Sequence, residues 1–162
     1  MLEWRFYRNR KVWQAMAVLE KSVLIGYSAQ QMFDLVEDVE RYPEFLPWCS
    51  RTQVSLRNAS KTVATIHINY HGVRSHFTTE NDKDAPAEMH IHLVDGPFRR
   101  LEGSWFFKAL TENACKVEFR LAYDFSSKLF DKMIGPVFNQ IADSMVESFI
   151  KRAESVCGGA NA

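Results

Sequence analysis

The last long stretch of the chain, residues 127–156 (SKLFDKMIGPVFNQIADSMVESFIKRAESV), leaves few choices of fold. Its apolar residues fall in adjacent pairs repeating every four positions: Leu129/Phe130, Met133/Ile134, Val137/Phe138, Ile141/Ala142, Met145/Val146 and Phe149/Ile150, with Ala153 closing the run. That spacing belongs to a helix and not to a strand. A repeat of four overshoots the helical turn, so the stripe drifts by about 40° per repeat. The wetted face narrows to Asn139, Asp143, Glu147, Lys151 and Glu154. So wide an apolar arc needs cover on more than one side, which the concave face of a curved sheet supplies. Gly135 and Pro136 fall early in the stretch. A proline there deletes a backbone bond and crowds the preceding turn, so a kink or a restart is expected.

The preceding residues read as that sheet. Leu19, Val23, Ile25 and Tyr27, alternating with Lys21 and smaller residues, predict a first strand. Ser28 stands at an N-cap position before AQQMFDLVEDVERY, whose apolar face is Met32, Phe33, Leu35 and Val36. Pro43 and Pro47 restrict RYPEFLPWCS, predicting a second helical turn and then a fixed loop that exposes Tyr42, Phe45, Leu46 and Trp48.

Strand follows strand from there. Val54 and Leu56 alternate in RTQVSLR; Ala64, Ile66, Ile68 and Tyr70 alternate with Thr65, His67 and Asn69; His71–Gly72 marks a turn. RSHFTTEN is followed by a turn through NDKDAPA, then by strands carrying Met89, Ile91 and Leu93, then Leu101, Gly103, Trp105 and Phe107, then Val117, Phe119, Leu121, Tyr123 and Phe125. Short hairpin connections imply an antiparallel sheet with one face under the last helix.

Composition bounds the function. Twenty Lys and Arg balance twenty Asp and Glu, so no overall field gathers nucleic acid, and DNA is not an expected partner. Three cysteines without CxxC spacing argue against a disulfide framework or zinc ribbon, and a reducing, cytoplasmic setting is expected. No apolar run approaches the roughly 20 residues that span a bilayer. Residues 1–15 (MLEWRFYRNRKVWQA) are basic and aromatic. They read either as a membrane-surface or RNA-touching arm or transit-like leader, or as a disordered or untranslated extension before Met16, and the second reading is preferred. Residues 16–157 form the expected domain, with 158–162 a flexible tail.

DVERYPEFLPWC, LVDGPFRRLEGSWFF, FRLAYDFSSKLF and IGPVFNQIADSMVESFIKRA together resemble the coenzyme Q-binding and ribosome-association-toxin (RatA) family of the START-like, polyketide-cyclase-type superfamily. The resemblance covers about residues 17–157. It implies an α+β helix-grip fold, a curved antiparallel sheet of about seven strands wrapped around the C-terminal helix with a cavity between them. It also implies two functions: binding of ubiquinone or a related isoprenoid lipid in support of respiration, and binding of the large ribosomal subunit that blocks subunit association. Cyclase or dehydratase chemistry comes from the wider superfamily.

Catalysis needs an acid or base inside the cavity. The inward positions inferred from alternation offer only Tyr70 and Tyr123 as polar tips, so no enzyme and no catalytic residue is expected. His67, His90 and His92 alternate against apolar neighbours and should face solvent, which favours a polar outer face over a metal site. Cys49 reads as a packed small hydrophobe.

The aromatic set carries the binding expectation. Tyr42, Phe45, Leu46 and Trp48 on the loop, Phe98 at the DGP turn, Trp105 and Phe107 on a strand, and Phe130, Met133, Phe138, Ile141 and Met145 on the helix are expected to line one apolar volume under a mobile YPEFLPWC lid. Tyr42, Tyr70, Tyr123 and Arg100 are candidate donors to a quinone head. A carrier of such a lipid is also expected to touch membranes transiently. Arg51, Arg57 and Lys61, Arg99 and Arg100, and Lys151–Arg152 are the basic groups open to a ribosomal partner, but they form no continuous stripe.

Overall fold

The computed structural model describes residues 3–6, as backbone, and residues 16–158. Strand β1 (Glu3–Phe6) precedes β2 (Ala17–Ile25), followed by helix α1 (Ala29–Glu37), a 3-10 turn (Val39–Arg41) and the short helix α2 (Tyr42–Phe45). Strands β3 (Cys49–Arg57), β4 (Lys61–Tyr70), β5 (Val73–Asp84), β6 (Glu88–Asp95), β7 (Phe98–Thr111) and β8 (Ala114–Phe125) come next, and α3 (Lys128–Cys157) closes the chain. One antiparallel sheet holds all the strands in the order β1-β2-β8-β7-β6-β5-β4-β3. The seven strands expected from alternation are β2–β8. Of the N-terminal extension, Glu3–Phe6 pairs with β2, and its other residues lie outside those described, as do residues 159–162 of the tail.

Local chemistry explains the element boundaries. Ser28 caps α1 with a full capping box: its hydroxyl accepts from the Gln31 amide while the Gln31 side chain accepts from the Ser28 amide. His71 and Gly72 both take positive φ, 49° and 78°, the backbone of a two-residue hairpin turn whose twist matches its strands. At Gly103, a side chain would bring its Cβ within 2.7 Å of the Arg120 carbonyl, so glycine permits the close approach of β7 to β8 where the sheet curls.

The curled sheet grips α3. Of its buried residues, Phe138, Ile141, Ala142 and Phe149 face Leu101, Trp105, Phe119 and Leu121 from the sheet, and the helix also packs against α1. Each large side chain so buried contributes about 1.5–3 kcal/mol. Trp105 lies over Phe119 with ring centroids 4.3 Å apart and meets Phe149 edge-on at 5.4 Å.

Several expectations are corrected. The last helix neither stops nor restarts at Gly135–Pro136; α3 is one element. Pro136 sits on an exposed turn, where water can satisfy the carbonyl left without its amide partner. The YPEFLPWC segment does not expose its large residues: Tyr42, Leu46 and Trp48 are buried and Phe45 is half-buried. Burial follows from α2 turning them inward, with the Tyr42 hydroxyl donating to the Val36 carbonyl. Lys21 does not alternate with Leu19 and Val23 but shares their inward face, where it is buried. The turn placed across NDKDAPA is shorter, because β5 continues through Asp84.

Candidate functional site

Sheet and helix do not close completely. Between them lies a cavity of about 70 Å³, lined by Val36 of α1, Tyr42 of α2, Ile66 of β4, Phe77, Thr79 and Asn81 of β5, Ile91 of β6, Leu101 and Trp105 of β7, Phe119 and Leu121 of β8, and Phe138, Ile141, Ala142, Met145 and Phe149 of α3. A cavity of that size has room for a few waters. Ile66, Asn81, Ile91 and Met145 are only half-buried, so the cavity approaches solvent between the middle of α3 and strands β4–β6.

The polar groups of this cavity sit mostly on one strand. β5 directs Phe77, Thr79, Asn81 and Lys83 inward, since successive side chains alternate across a sheet and Phe77 opposes Ile66 and Thr79 opposes Ala64. Asn81 Oδ1 is buried without a hydrogen-bond partner. Beside it, Thr62, its cross-strand neighbour, donates to Glu37 Oε1 at 2.8 Å. The same oxygen receives Lys83 Nζ at 2.6 Å and Arg57 Nε at 3.1 Å, while Glu37 Oε2 is buried with no partner. Arg57 also holds Glu40, and this hydrogen bond lowers the Glu40 carboxyl below the usual range. The Tyr42 hydroxyl is driven far above its ordinary pKa by burial and stays protonated.

The expected site residues divide into three groups. Tyr42, Trp105, Phe138, Ile141 and Met145 line the cavity. Leu46, Trp48, Phe98, Phe107 and Tyr123 are buried in the surrounding core: Phe98 stacks on Phe125 at 5.0 Å, Phe107 meets Phe33 at 5.8 Å, and the Tyr123 hydroxyl donates to Asn139. Burial raises the Tyr123 pKa strongly. Phe45 does not line the cavity: it packs edge-on against the outer side of Phe149 at 5.2 Å, with the Arg152 guanidinium 5.0 Å from the Phe45 ring.

The third group lies apart. Tyr70 is half-buried against His71, and Arg100 is exposed at the start of β7. Phe130 and Met133, at 40% and 60% exposure, do not join the apolar volume. The first turns of α3 overhang the sheet, and these two side chains border an open groove with Pro97, Val73 and Arg74. Thr79, Asn81 and Phe149 are lining residues that sequence reading did not single out.

The histidines sit on the outer face. His67 and His76 pair across β4 and β5 with rings 5.4 Å apart, and His92 approaches Asp82 at 3.1 Å. Burial pushes the Cys49 thiol up to about 11.

Residues 25–150 match the family described as polyketide cyclase/dehydrase and lipid transport. The chain belongs to this family. As a member, it is 44% identical to the ribosome association toxin RatA of Vibrio cholerae over 143 residues, which cover 88% of this chain and 99% of that protein. It is 37% identical to RatA of Escherichia coli K12 over 141 residues, covering 87% and 89%. A mitochondrial coenzyme Q-binding protein, COQ10 homolog B of Xenopus laevis, is 28% identical over 142 residues, 85% of this chain and 58% of that one. Among solved structures, the Zhui aromatase/cyclase of Streptomyces sp. R1128 shares the fold with a TM-score of 0.73 at 16% identity, covering 86% and 94%. An 18 kDa protein of Caulobacter crescentus superposes with a TM-score of 0.65 at 30% identity, covering 87% and 98%. The expected family and helix-grip fold are both present in this chain. Among the described residues, no helix is long and apolar enough to cross a membrane.

Proposed function

We propose that this domain binds a hydrophobic isoprenoid of the ubiquinone class between sheet and α3, acting as a non-enzymatic carrier or chaperone for respiratory electron transport. The observation that carries this reading is the apolar cavity whose polar groups, apart from the Tyr42 hydroxyl already bonded to Val36, lie on the β5 side at Thr79 and Asn81. A prenyl tail wants continuous apolar walls, and each methylene it buries contributes about 0.8 kcal/mol. The space is small for such a ligand, so binding displaces side chains, and the half-buried, flexible Met145 is suited to move. The relative named for coenzyme Q binding supports the same reading. No lining residue pairs a nucleophile with a base: the Tyr42 hydroxyl is committed to the Val36 carbonyl, and the histidines face outward.

The test is mass spectrometry of an organic extract from protein purified gently out of a quinone-producing host. Quinone or polyprenyl lipid at near one per chain is expected. Protein that comes away empty, and stays empty when incubated with the lipid, sinks the reading.

A second reading, association with the large ribosomal subunit, is favoured by the relatives named ribosome association toxin at up to 44% identity over nearly their whole length. It would use the surface and not the cavity, so the two readings are compatible. Of the basic groups, Arg57 is held by Glu37 and Glu40, Lys61 by Glu80, Arg152 by Glu44 and Arg99 by Asp124 at 3.6 Å; Arg99 and Arg100 lie exposed side by side at the β7 start. Sedimentation with isolated subunits tests it: Arg99→Glu with Arg100→Glu should weaken cosedimentation and leave lipid content unchanged.

A further inference from the structure

We infer that the cavity prefers the reduced, hydroxyl-bearing form of its ligand, a hydroquinone, over the quinone. This rests on the proposed reading of the cavity as an isoprenoid quinone site.

The argument is one of hydrogen-bond valence. Two buried polar atoms on the β5 side have no partner, Asn81 Oδ1 in the cavity wall and Glu37 Oε2 behind it, and both are acceptors. Of the donors nearby, Thr62, Lys83 and Arg57 all reach Glu37 Oε1, and the Thr79 hydroxyl in the cavity wall can accept as well as donate, so it does not choose between the two forms. A quinone ring brings only carbonyl and ether oxygens, so it adds acceptors where acceptors already lack partners. A hydroquinone brings two O–H donors. One of them can meet the Asn81 amide oxygen in the cavity wall, an acceptor that a quinone carbonyl would leave unsatisfied. Sites with buried polar groups discriminate sharply between ligands with and without the matching hydroxyl, because the mismatched complex leaves those groups unsatisfied. Two groups work in the other direction. The Lys83 ammonium has protons beyond the one directed at Glu37, and the Asn81 amide can turn over to present its NH₂. Both would favour a quinone carbonyl, and the experiment separates them.

Equilibrium dialysis under strictly anaerobic conditions, with a short-chain ubiquinone analogue and separately with the same analogue chemically reduced, compares the two forms on the wild-type chain. Binding of the reduced form about tenfold tighter is expected. Asn81→Leu should remove most of that preference by weakening the reduced form alone. Asn81→Asp, which keeps an acceptor and loses the amide donor, should retain it. Equal binding, or tighter binding of the oxidised form, overturns the inference while leaving the ligand class in place. Binding of neither form overturns the quinone reading and this inference with it.

Discussion

Lys21 on β2 reaches across the core to Glu147 on α3, with Nζ 3.0 Å from Oε1, and the lysine side chain is fully buried while the glutamate remains 35% exposed. The same ammonium donates to the Asp143 carbonyl. This asymmetry of burial makes a prediction about the two partners. Removing the carboxylate by Glu147→Ala leaves a buried cation with diminished compensation, which should cost about 3 kcal/mol. Lys21→Met keeps the apolar stem and leaves Glu147 where water can reach it, while the Asp143 carboxylate loses the cation that offsets its burial, so the cost should stay below about 2 kcal/mol. Urea denaturation of both variants checks the order. Equal losses would mean that the pair acts through packing alone.

Tyr42 is predicted to act as a helix stop as much as a cavity wall. Val36 is the penultimate residue of α1, so its carbonyl is one of the four that a helix leaves without an internal partner, and the Tyr42 hydroxyl supplies the missing donor. Tyr42→Phe should cost about 1–2 kcal/mol by orphaning that carbonyl, although the ring contacts with Phe45 and Phe149 survive. Hydrogen exchange should quicken at the end of α1 more than in β7 or β8. Uniform quickening across the fold would contradict a local capping role.

How much of this was legible depends on the element. Period-two alternation revealed β4, β6, β7 and β8, because their inward residues are apolar, and Ser28 announced α1 through capping chemistry. β5 was harder. Its inward residues Thr79, Asn81 and Lys83 are polar, so its second half reads as a turn, and only pairing with β4, as far as Lys61 against Asp82, shows that the strand continues. The polar side of the cavity was hidden for that reason. On α3, two apolar residues per repeat announce a wide stripe but not where the sheet ends beneath it, and so the stripe alone groups Phe130 and Met133 with a volume they do not join. The two prolines of YPEFLPWC fix a backbone without saying which way its aromatic residues face.

Cys49 offers a pH test. Its thiol is pushed up to about 11 from an ordinary value of 9.0, chiefly by burial. The folded state therefore holds the proton more tightly than the unfolded one. The resulting stability is complete below about pH 9 and is lost as pH rises toward about 11. The difference in unfolding free energy between wild type and Cys49→Ala should shrink across that window by about 1–2 kcal/mol, and denaturant titrations at pH 8, 9 and 10 would follow it. A thiol-alkylating reagent at pH 8 should label the half-buried Cys157 well before the buried Cys49 or Cys115. Early labelling of Cys49 would show that the segment around it opens readily.

Filling the cavity separates its role in binding from its role in stability. Ala142 lines the cavity at 1% exposure, and Ala142→Val adds two carbon atoms there without removing a core contact. A β-branched residue in a helix costs a few tenths of a kcal/mol, which the added apolar burial offsets, so the thermal midpoint should move little. The ligand, however, loses the room of about two methylenes. At about 0.8 kcal/mol each, retention should fall about tenfold. Lipid per chain by mass spectrometry, beside a thermal melt, reads both quantities. A variant that melts like wild type and still carries a full complement of lipid would place the ligand elsewhere on the molecule, and the exposed groove beside Phe130 and Met133 would be the first place to look.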